Sequence, residues 1–306
     1  MDKFLKSPLN YTGGKYKLLP QLLPLFPNEI DTFVDLFCGG CNVGINVLAK
    51  EYCYNDISSE LIGLYQYFVN CDINSLVVEL ENLIDSYGLS NTYKNGYNYY
   101  NCDSSKGLAE YNKEKFLVLR KDFNSCEKFT DKYFRLFFLL IVFGFNNQIH
   151  FNKNNEYNLP VGKRDFNLSI RIKLCDFIER LQSQKLYFSN QSFQDFDFSK
   201  LSMNSLVYCD PPYLISCASY NENGGWSMED EQSLLNCLDK LNSKGIKFAL
   251  SNVLEHKGKK NKLLESWIKE KGYTVHKLDF EYKNSNYQSK NKESKTVEVL
   301  ITNYVV

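Results

Sequence analysis

The sequence predicts an α/β fold: an open, mainly parallel sheet interrupted by a largely helical insertion. Three observations predict it. Short apolar runs stop at polar or glycine-rich turns, a long central stretch repeats its apolar positions at helical spacing, and a glycine-rich turn follows the first apolar run directly.

The runs at residues 33–37, 206–209, 248–251 and, more weakly, 52–55 have the length and bounding turns of parallel strands buried on both faces. The β-rich stretch 296–302 is expected as a further strand of the sheet. In open α/β sheets ligands sit outside the carboxyl ends of the strands, which directs attention to Asp210 and Asn252, each just past such a run. Between the second and third groups of strands, residues 61–184 carry helical periodicity at 61–87, 111–123 and 134–145, broken by a polar stretch at 90–105. Residues 156–164 (EYNLPVGKR) have the composition of a tight loop or hairpin. The expected organisation is therefore a sheet domain in two parts, 1–60 and 185–306, around an insertion at 61–184.

With 306 residues, 43% of them hydrophobic and 15% aromatic, the chain can bury a substantial core. No apolar stretch approaches the ~20 residues needed to span a bilayer, and the first residues lack a signal-peptide core, so a cytoplasmic protein without a membrane partner is expected. Ten cysteines at irregular spacing read as reduced, small hydrophobic residues. Lysine and arginine balance aspartate and glutamate at 36 each, so a nucleic-acid partner would need a local basic face. Residues 256–271 are locally basic, but such a run is ordinarily a solvated helix face.

Two segments carry chemistry. In the first, Asp35, Phe37, Cys38, Gly39 and Gly40 form a glycine-rich turn after a strand, where the missing Cβ lets a ligand approach the backbone. The spacing is neither GxGxxG nor GxxxxGK[ST], which favours a nucleoside-bearing cofactor over a dinucleotide or triphosphate. Asp56, after the second run, stands where such folds hold ribose hydroxyls. Taken alone, this segment is as compatible with a plain tight turn and a surface aspartate. Cys38 and Cys41 form a C-x-x-C, but no second cysteine or histidine pair completes a zinc site, so no metal is expected.

The second segment is Asp210, Pro211, Pro212 and Tyr213. Two prolines after a buried strand remove two backbone donors and fix φ, holding the Asp210 carboxylate and the Pro211 carbonyl as outward-facing acceptors. Adenine's amino group is a poor nucleophile because its lone pair is delocalised into the ring. Two acceptors taking its two hydrogens favour a pyramidal nitrogen that can attack an electrophile, while Tyr213 stacks on the base for ~1–3 kcal/mol.

Six landmarks in order, PLNYTGGK (8–15), FVDLFCGG (33–40), YND (54–56), FNNQIHFNKNNEYNLPVGKRDFN (145–167), YCDPPY (208–213) and EVLITNY (298–304), resemble the Dam-like alpha group, the D12 class, of adenine-N6 DNA methyltransferases across essentially the whole chain. The resemblance implies a class I, Rossmann-like methyltransferase sheet and S-adenosyl-L-methionine as cofactor. It implies that Tyr11, Gly13, Gly14, Lys15 and Asp210 touch that cofactor, that Asp35, Phe37, Cys38, Gly39 and Gly40 cradle it, and that Asn55 and Asp56 hold its ribose. Ser192 and Phe193 would border its adenine, and residues 210–213 would form the catalytic loop. The insertion would be a target-recognition domain on double-stranded DNA, with a hairpin near 145–164 whose Asn146, Asn147, Gln148, His150, Asn152, Lys163 and Arg164 read the major groove. Many relatives carry arginine where this chain has His150; histidine cannot reproduce a bidentate guanine contact worth ~1–3 kcal/mol, so the resemblance does not fix GATC as the target.

The expected reaction flips an adenine out of the duplex onto Asp210 and Tyr213, whose amine attacks the sulfonium methyl in line. A cognate restriction endonuclease is a possible companion, and no obligatory protein partner is implied. Transfer to RNA or to a protein amide is the rival within enzymes, and the recognition insertion argues against it. A catalytically dead DNA-binding regulator would show decay in the glycine turn or catalytic loop, and both are intact; an oxidoreductase lacks its GxGxxG.

Overall fold

The computed structural model describes residues 4–11, 13–215, 225–279 and 296–305; Thr12 of the first landmark and Cys217 lie outside them. The chain divides into two compact units, one of Met1–Gly14 with Ser58–Gln184, the other of Lys15–Ile57 with Lys185–Val306.

The second unit is built on a sheet of β1 (Thr32–Asp35), β2 (Glu51–Asn55), β3 (Leu186–Ser189), β4 (Leu206–Cys209), β5 (Lys247–His256), β6 (Lys259–Lys260), β7 (Thr274–Leu278) and β8 (Thr296–Thr302). The order is β3-β2-β1-β4-β5-β8-β7, with β6 paired to β5. The pairings from β3 to β5 are parallel, while β8 runs antiparallel to both β5 and β7. The central strands β1, β4 and β5 are mostly buried along their length, as expected of a parallel sheet covered on both faces. All four residues of β4 are buried, and Val34, Val207, Phe248, Leu250, Val299 and Ile301 share a core with Leu234, Leu235, Leu238 and Leu241 of the helix Met228–Ser243. That helix starts on a capping box between Ser227 and Asp230.

The four runs expected as strands and the closing β-stretch are strands, with shifted ends, while β3 is a further strand that the sequence did not mark. β1 stops at Asp35, so Leu36 and Phe37 already belong to the turn, and β5 continues beyond 251 into a short basic hairpin with β6. The basic stretch 256–271 becomes that hairpin plus the helix Lys262–Lys271, capped by Asn261; Lys257, Lys259 and Lys260 are exposed to solvent. β7 escaped the sequence analysis.

The first unit is helical, with helices Ser59–Asn70, Ile73–Ser86, Ala109–Ser125, Asp131–Phe143 and Leu168–Gln182. Side chains of Ser58, Asp72, Thr130 and Asn167 cap four of them by accepting from backbone N–H groups. In Asp131–Phe143 every residue from Leu136 to Phe143 is buried, as for a helix apolar on all sides at the centre of a bundle. Residues 61–87, expected as one helical stretch, are two helices parted at Asp72, which caps the second. The sheet unit begins at Lys15 rather than at the amino terminus, so the first fourteen residues group with the helical unit.

Candidate functional site

β1 and β4 are neighbours whose following connections leave in opposite directions along the sheet, to β2 on one side and towards β5 on the other. Such a switch point opens a crevice at the carboxyl ends of the two strands, and both chemical segments of the sequence emerge there. Register pairs Asp35 with Tyr208, and Leu36 N donates to Tyr208 O, so Asp210, two residues on, stands just past the end of β4.

The turn after β1 is held by the end of β2. Cys38 N donates to Asn55 O, Gly39 N donates to Asp56 Oδ2 at 3.0 Å, and Cys41 N closes the turn onto Cys38 O. Gly39 adopts φ +45°, a conformation that only a residue without Cβ takes cheaply. Cys41 takes a left-handed φ of 55° without that freedom, which marks the turn as locally strained. Asn55 is buried and spends its amide on the scaffold, donating to Leu36 O and Gln191 O and accepting from Gln191 N, so it ties the turn to the segment after β3. Ser192 Oγ accepts from Gln194 N within that segment. Phe193 packs on Phe37 at 5.6 Å, and Trp226 packs on both rings at 5.5 and 5.8 Å. Trp226 is itself held by the fully buried Glu231, which accepts from Trp226 Nε1, Asn252 Nδ2 and Asn261 Nδ2.

Asp35 is buried, and its Oδ1 has no hydrogen-bond partner among the described residues. Burial, then the negative charges of Asp210 and Asp56, push its carboxyl well above the ordinary carboxylate range, with the Gly44 N–H pulling the other way. Three carboxylates thus converge on one crevice. The arrangement suits a ligand that brings positive charge and a hydrogen-bond donor.

In the loop after β4, Asp210 Oδ1 lies 2.8 Å from Lys15 Nζ and accepts from the Tyr213 hydroxyl at 2.9 Å. Lys15 is buried and sits 5.0 Å from the centre of the Tyr213 ring. Lys15 therefore serves the loop at residues 210–213 directly. The Tyr213 hydroxyl is held well above its usual pKa, first by burial and then by the charges of Asp210 and Glu298, so it is a donor at neutral pH. Tyr11, Gly13 and Gly14 belong to the helical unit, where Gly14 N donates to Tyr11 O across a turn with Gly13 at φ +80°.

The segment expected as a hairpin is an irregular loop pinned at two antiparallel bridges, Gly144 with Val161 and Phe151 with Tyr157. Aromatic packing anchors it: Phe151 lies 5.8 Å from Phe137, and buried Tyr157 lies 6.2 Å from Phe123 while its hydroxyl reaches Leu140 O. Asn147 donates to Ile141 O and Val142 O, capping the preceding helix. Asn152 accepts from Asn154 N and Glu156 N and donates to Glu156, which builds the loop's own turn. Those two amides are thus engaged in shaping the loop. His150 Nδ1 pairs with Asn158 Oδ1 at 2.6 Å, Arg164 donates to Ser104 O, and Lys163 is exposed. The backbone of Asn146 is left-handed, and its carbonyl accepts from Asn10 Nδ2. A Cβ on Gly162 would lie 2.2 Å from Gly144 O, so Gly162→Ala is expected to part the first bridge and destabilise the helical unit by about 1–3 kcal/mol. Chemical denaturation checks this; an unchanged midpoint would show that the two backbones can separate freely.

A family model for D12 class N6 adenine-specific DNA methyltransferases matches residues 11–285. The chain belongs to that family. Among curated relatives, the modification methylase StsI of Streptococcus sanguinis is 44% identical over 308 residues, which cover 99% of this chain and 43% of the relative. The type II methyltransferase M.FokI of Planomicrobium okeanokoites is 43% identical over 309 residues, with the same coverage of 99% and 43%. A DNA adenine methylase of Salmonella typhi is 28% identical over 253 residues, 80% of this chain and 79% of the relative. The chain therefore spans somewhat under half the length of StsI and M.FokI, and most of the length of the Salmonella methylase. The D12 resemblance drawn from the six landmarks is the family found, and the class I sheet it implied is the architecture present.

Sequence reasoning missed Trp226, Glu231 and Glu298 as parts of the site. Glu298 stood inside a landmark without a role, and the other two had no motif to mark them.

Proposed function

We propose that this chain transfers a methyl group from S-adenosyl-L-methionine to the N6 amino nitrogen of an adenine flipped out of a short duplex DNA site. The observation that carries the reading is the placement of the Asp210 carboxylate and the Pro211 carbonyl at the β1–β4 switch point, beside a carboxylate-lined glycine turn. The site's residues fit that cofactor. Its ammonium and sulfonium charges match the convergence of Asp35, Asp56 and Asp210, and an ammonium donor would satisfy the orphaned Asp35 Oδ1. Asp35 and the turn Cys38–Gly39–Gly40 would hold the amino-acid part, Asp56 the ribose, and Phe37 and Phe193, with Trp226 behind them, the adenine ring. When bound, the cofactor supplies a methyl group on a positively charged sulfur.

The protein's own contribution is orientation and electrostatics. Asp210 and the Pro211 carbonyl accept the two amine hydrogens of the base and turn its lone pair outward. Asp210 also stabilises the positive charge that grows on nitrogen as it attacks, an interaction stronger in the transition state than in the ground state. Lys15 holds the Asp210 carboxylate in place through its ion pair, and the Tyr213 ring supplies the stacking face.

The helical unit serves as the target-recognition domain. Gln148, His150, Lys163 and Arg164 are the proposed base and phosphate contacts, with Asn146 at the start of the loop, while Asn147 and Asn152 support the loop that presents them. The names of the two most similar relatives described above, a modification methylase and a type II methyltransferase, support a role beside a cognate restriction endonuclease. The test is direct. The purified chain is incubated with tritiated S-adenosyl-L-methionine and either unmethylated genomic DNA or total RNA, and the products are digested to nucleosides. Label is expected in N6-methyldeoxyadenosine; label confined to RNA, or none in adenine, would reject the assignment.

A further inference from the structure

Glu298 lies near the start of β8 and is buried, with 3% of its surface exposed. Because β8 runs antiparallel, its first residues lie beside the carboxyl-terminal half of β5, with Glu298 opposite Val253. This direction brings the Glu298 carboxylate to the edge of the sheet from which the catalytic loop emerges. Its Oε2 is 3.4 Å from the Tyr213 hydroxyl, which also donates to Asp210 Oδ1 at 2.9 Å. Asp210 Oδ1 is further occupied by Lys15 Nζ at 2.8 Å.

The counting of donors raises a conflict. A phenolic hydroxyl carries one hydrogen, so Tyr213 can donate fully to only one of the two carboxylates at a time. Asp210 Oδ1 already accepts from two donors in this structure, and Glu298 Oε2 is a second acceptor within reach of one of them, the Tyr213 hydroxyl. An amine arriving on that oxygen would compete with both, and Lys15 is the charged partner and the stronger of the two. We propose that Glu298 is a positioning residue that receives the Tyr213 hydroxyl when the substrate amine takes its place on Asp210. Tyr213 then swings its hydroxyl across a span already bridged on both sides, its ring stays over the loop, and Asp210 keeps Lys15 while gaining the base. This inference rests on the adenine-amine reading above.

The test is a double-mutant cycle on the full chain, read by kcat and by KM for S-adenosyl-L-methionine in tritiated methyl transfer to DNA. Glu298→Leu is expected to lower kcat on the order of tenfold, the scale of a hydrogen bond to a charged group, with KM for the cofactor nearly unchanged. Glu298→Gln, whose amide oxygen accepts the same hydrogen, is expected to restore most of that loss. In a Tyr213→Phe background, Glu298→Leu should cost less than about twofold, because the hydroxyl that needs a second acceptor is gone. Equal losses in the two backgrounds would mean that Glu298 acts only through the packing of β8 and would overturn the proposal, as would a Glu298→Leu enzyme with unchanged kcat. Should the leucine variant fail to fold, Glu298→Ala takes its place in the same cycle. A wild-type chain inactive on every adenine-containing duplex would remove the parent reading; an active wild type with equal losses removes this inference alone.

Discussion

Asp210→Ala is expected to lower the rate of methyl transfer to DNA by about 10²–10³-fold or more, the range seen when a preorganised group facing developing charge is removed. The argument is geometric. Asp210 is the side chain in which the loop's stiffness, the Lys15 ion pair at 2.8 Å and the Tyr213 hydrogen bond at 2.9 Å converge. Alanine removes the acceptor that orients the amine and the negative charge that balances it during attack. Asp210→Asn separates these effects, since the amide oxygen can still accept a hydrogen while the charge is lost; its rate should fall between those of wild type and alanine. Cofactor affinity, measured by calorimetry, should change much less than the rate in both variants. Alanine also removes the ion-pair partner of a buried lysine, so thermal unfolding must accompany the kinetics. A folded Asp210→Ala protein that turns over at a near-normal rate would refute the assignment of the catalytic loop.

Asp35→Asn is expected to have opposite effects on stability and function: a more stable free protein that has lost most of its affinity for the cofactor. In the free protein Asp35 is a buried carboxyl with an orphaned oxygen beside two other acids, and its pKa is raised above the unfolded value of 3.8. Below pH 3.8 both folded and unfolded chains hold the proton, and this group costs nothing. As pH rises past that value the unfolded chain gains by releasing the proton while the folded chain does not, so stability falls until the pH exceeds the raised folded pKa. Asparagine does not ionise, and its amide N–H can face the neighbouring carboxylates. The variant's advantage should therefore be absent below pH 3.8 and grow towards neutrality, read as a widening difference in unfolding midpoint. The same substitution removes the charge that would meet the cofactor's ammonium, a loss of about 10–100-fold in affinity. A variant less stable than wild type at pH 7, or one that binds S-adenosyl-L-methionine normally, would show that Asp35 is a structural residue. The pairing of a strained, charge-loaded cradle with weak intrinsic stability is a common feature of functional sites, where stability is given up for binding.

The sequence determined, without help from the fold, whatever depends on neighbours along the chain. The apolar runs of β1, β4 and β5, the glycine turn with its Asp35, and the stiff Asp210–Tyr213 loop are local, because strand length, missing Cβ atoms and proline φ angles act within a few residues. The helical character of the insertion was legible for the same reason, from apolar periodicity in 111–123 and 134–145. β7 was not, because it is an edge strand whose Thr-Val-His-Lys-Leu carries polar residues on a half-exposed ladder. The helix Leu168–Gln182 was also passed over, its apolar face being interrupted by Arg171, which is drawn inward by an ion pair to Glu81. Only the tertiary structure decided the partners of polar side chains. Asn147 and Asn152 look like readers of bases in sequence, yet they close helix and loop hydrogen bonds. Lys15 came to Asp210, Trp226 to Phe37 and Phe193, and Glu298 to Tyr213 across 195, 189 or 33, and 85 positions of chain respectively. No local rule encodes such encounters: they follow from strand order and from the antiparallel direction of β8, which the sheet as a whole selects by burying its apolar faces.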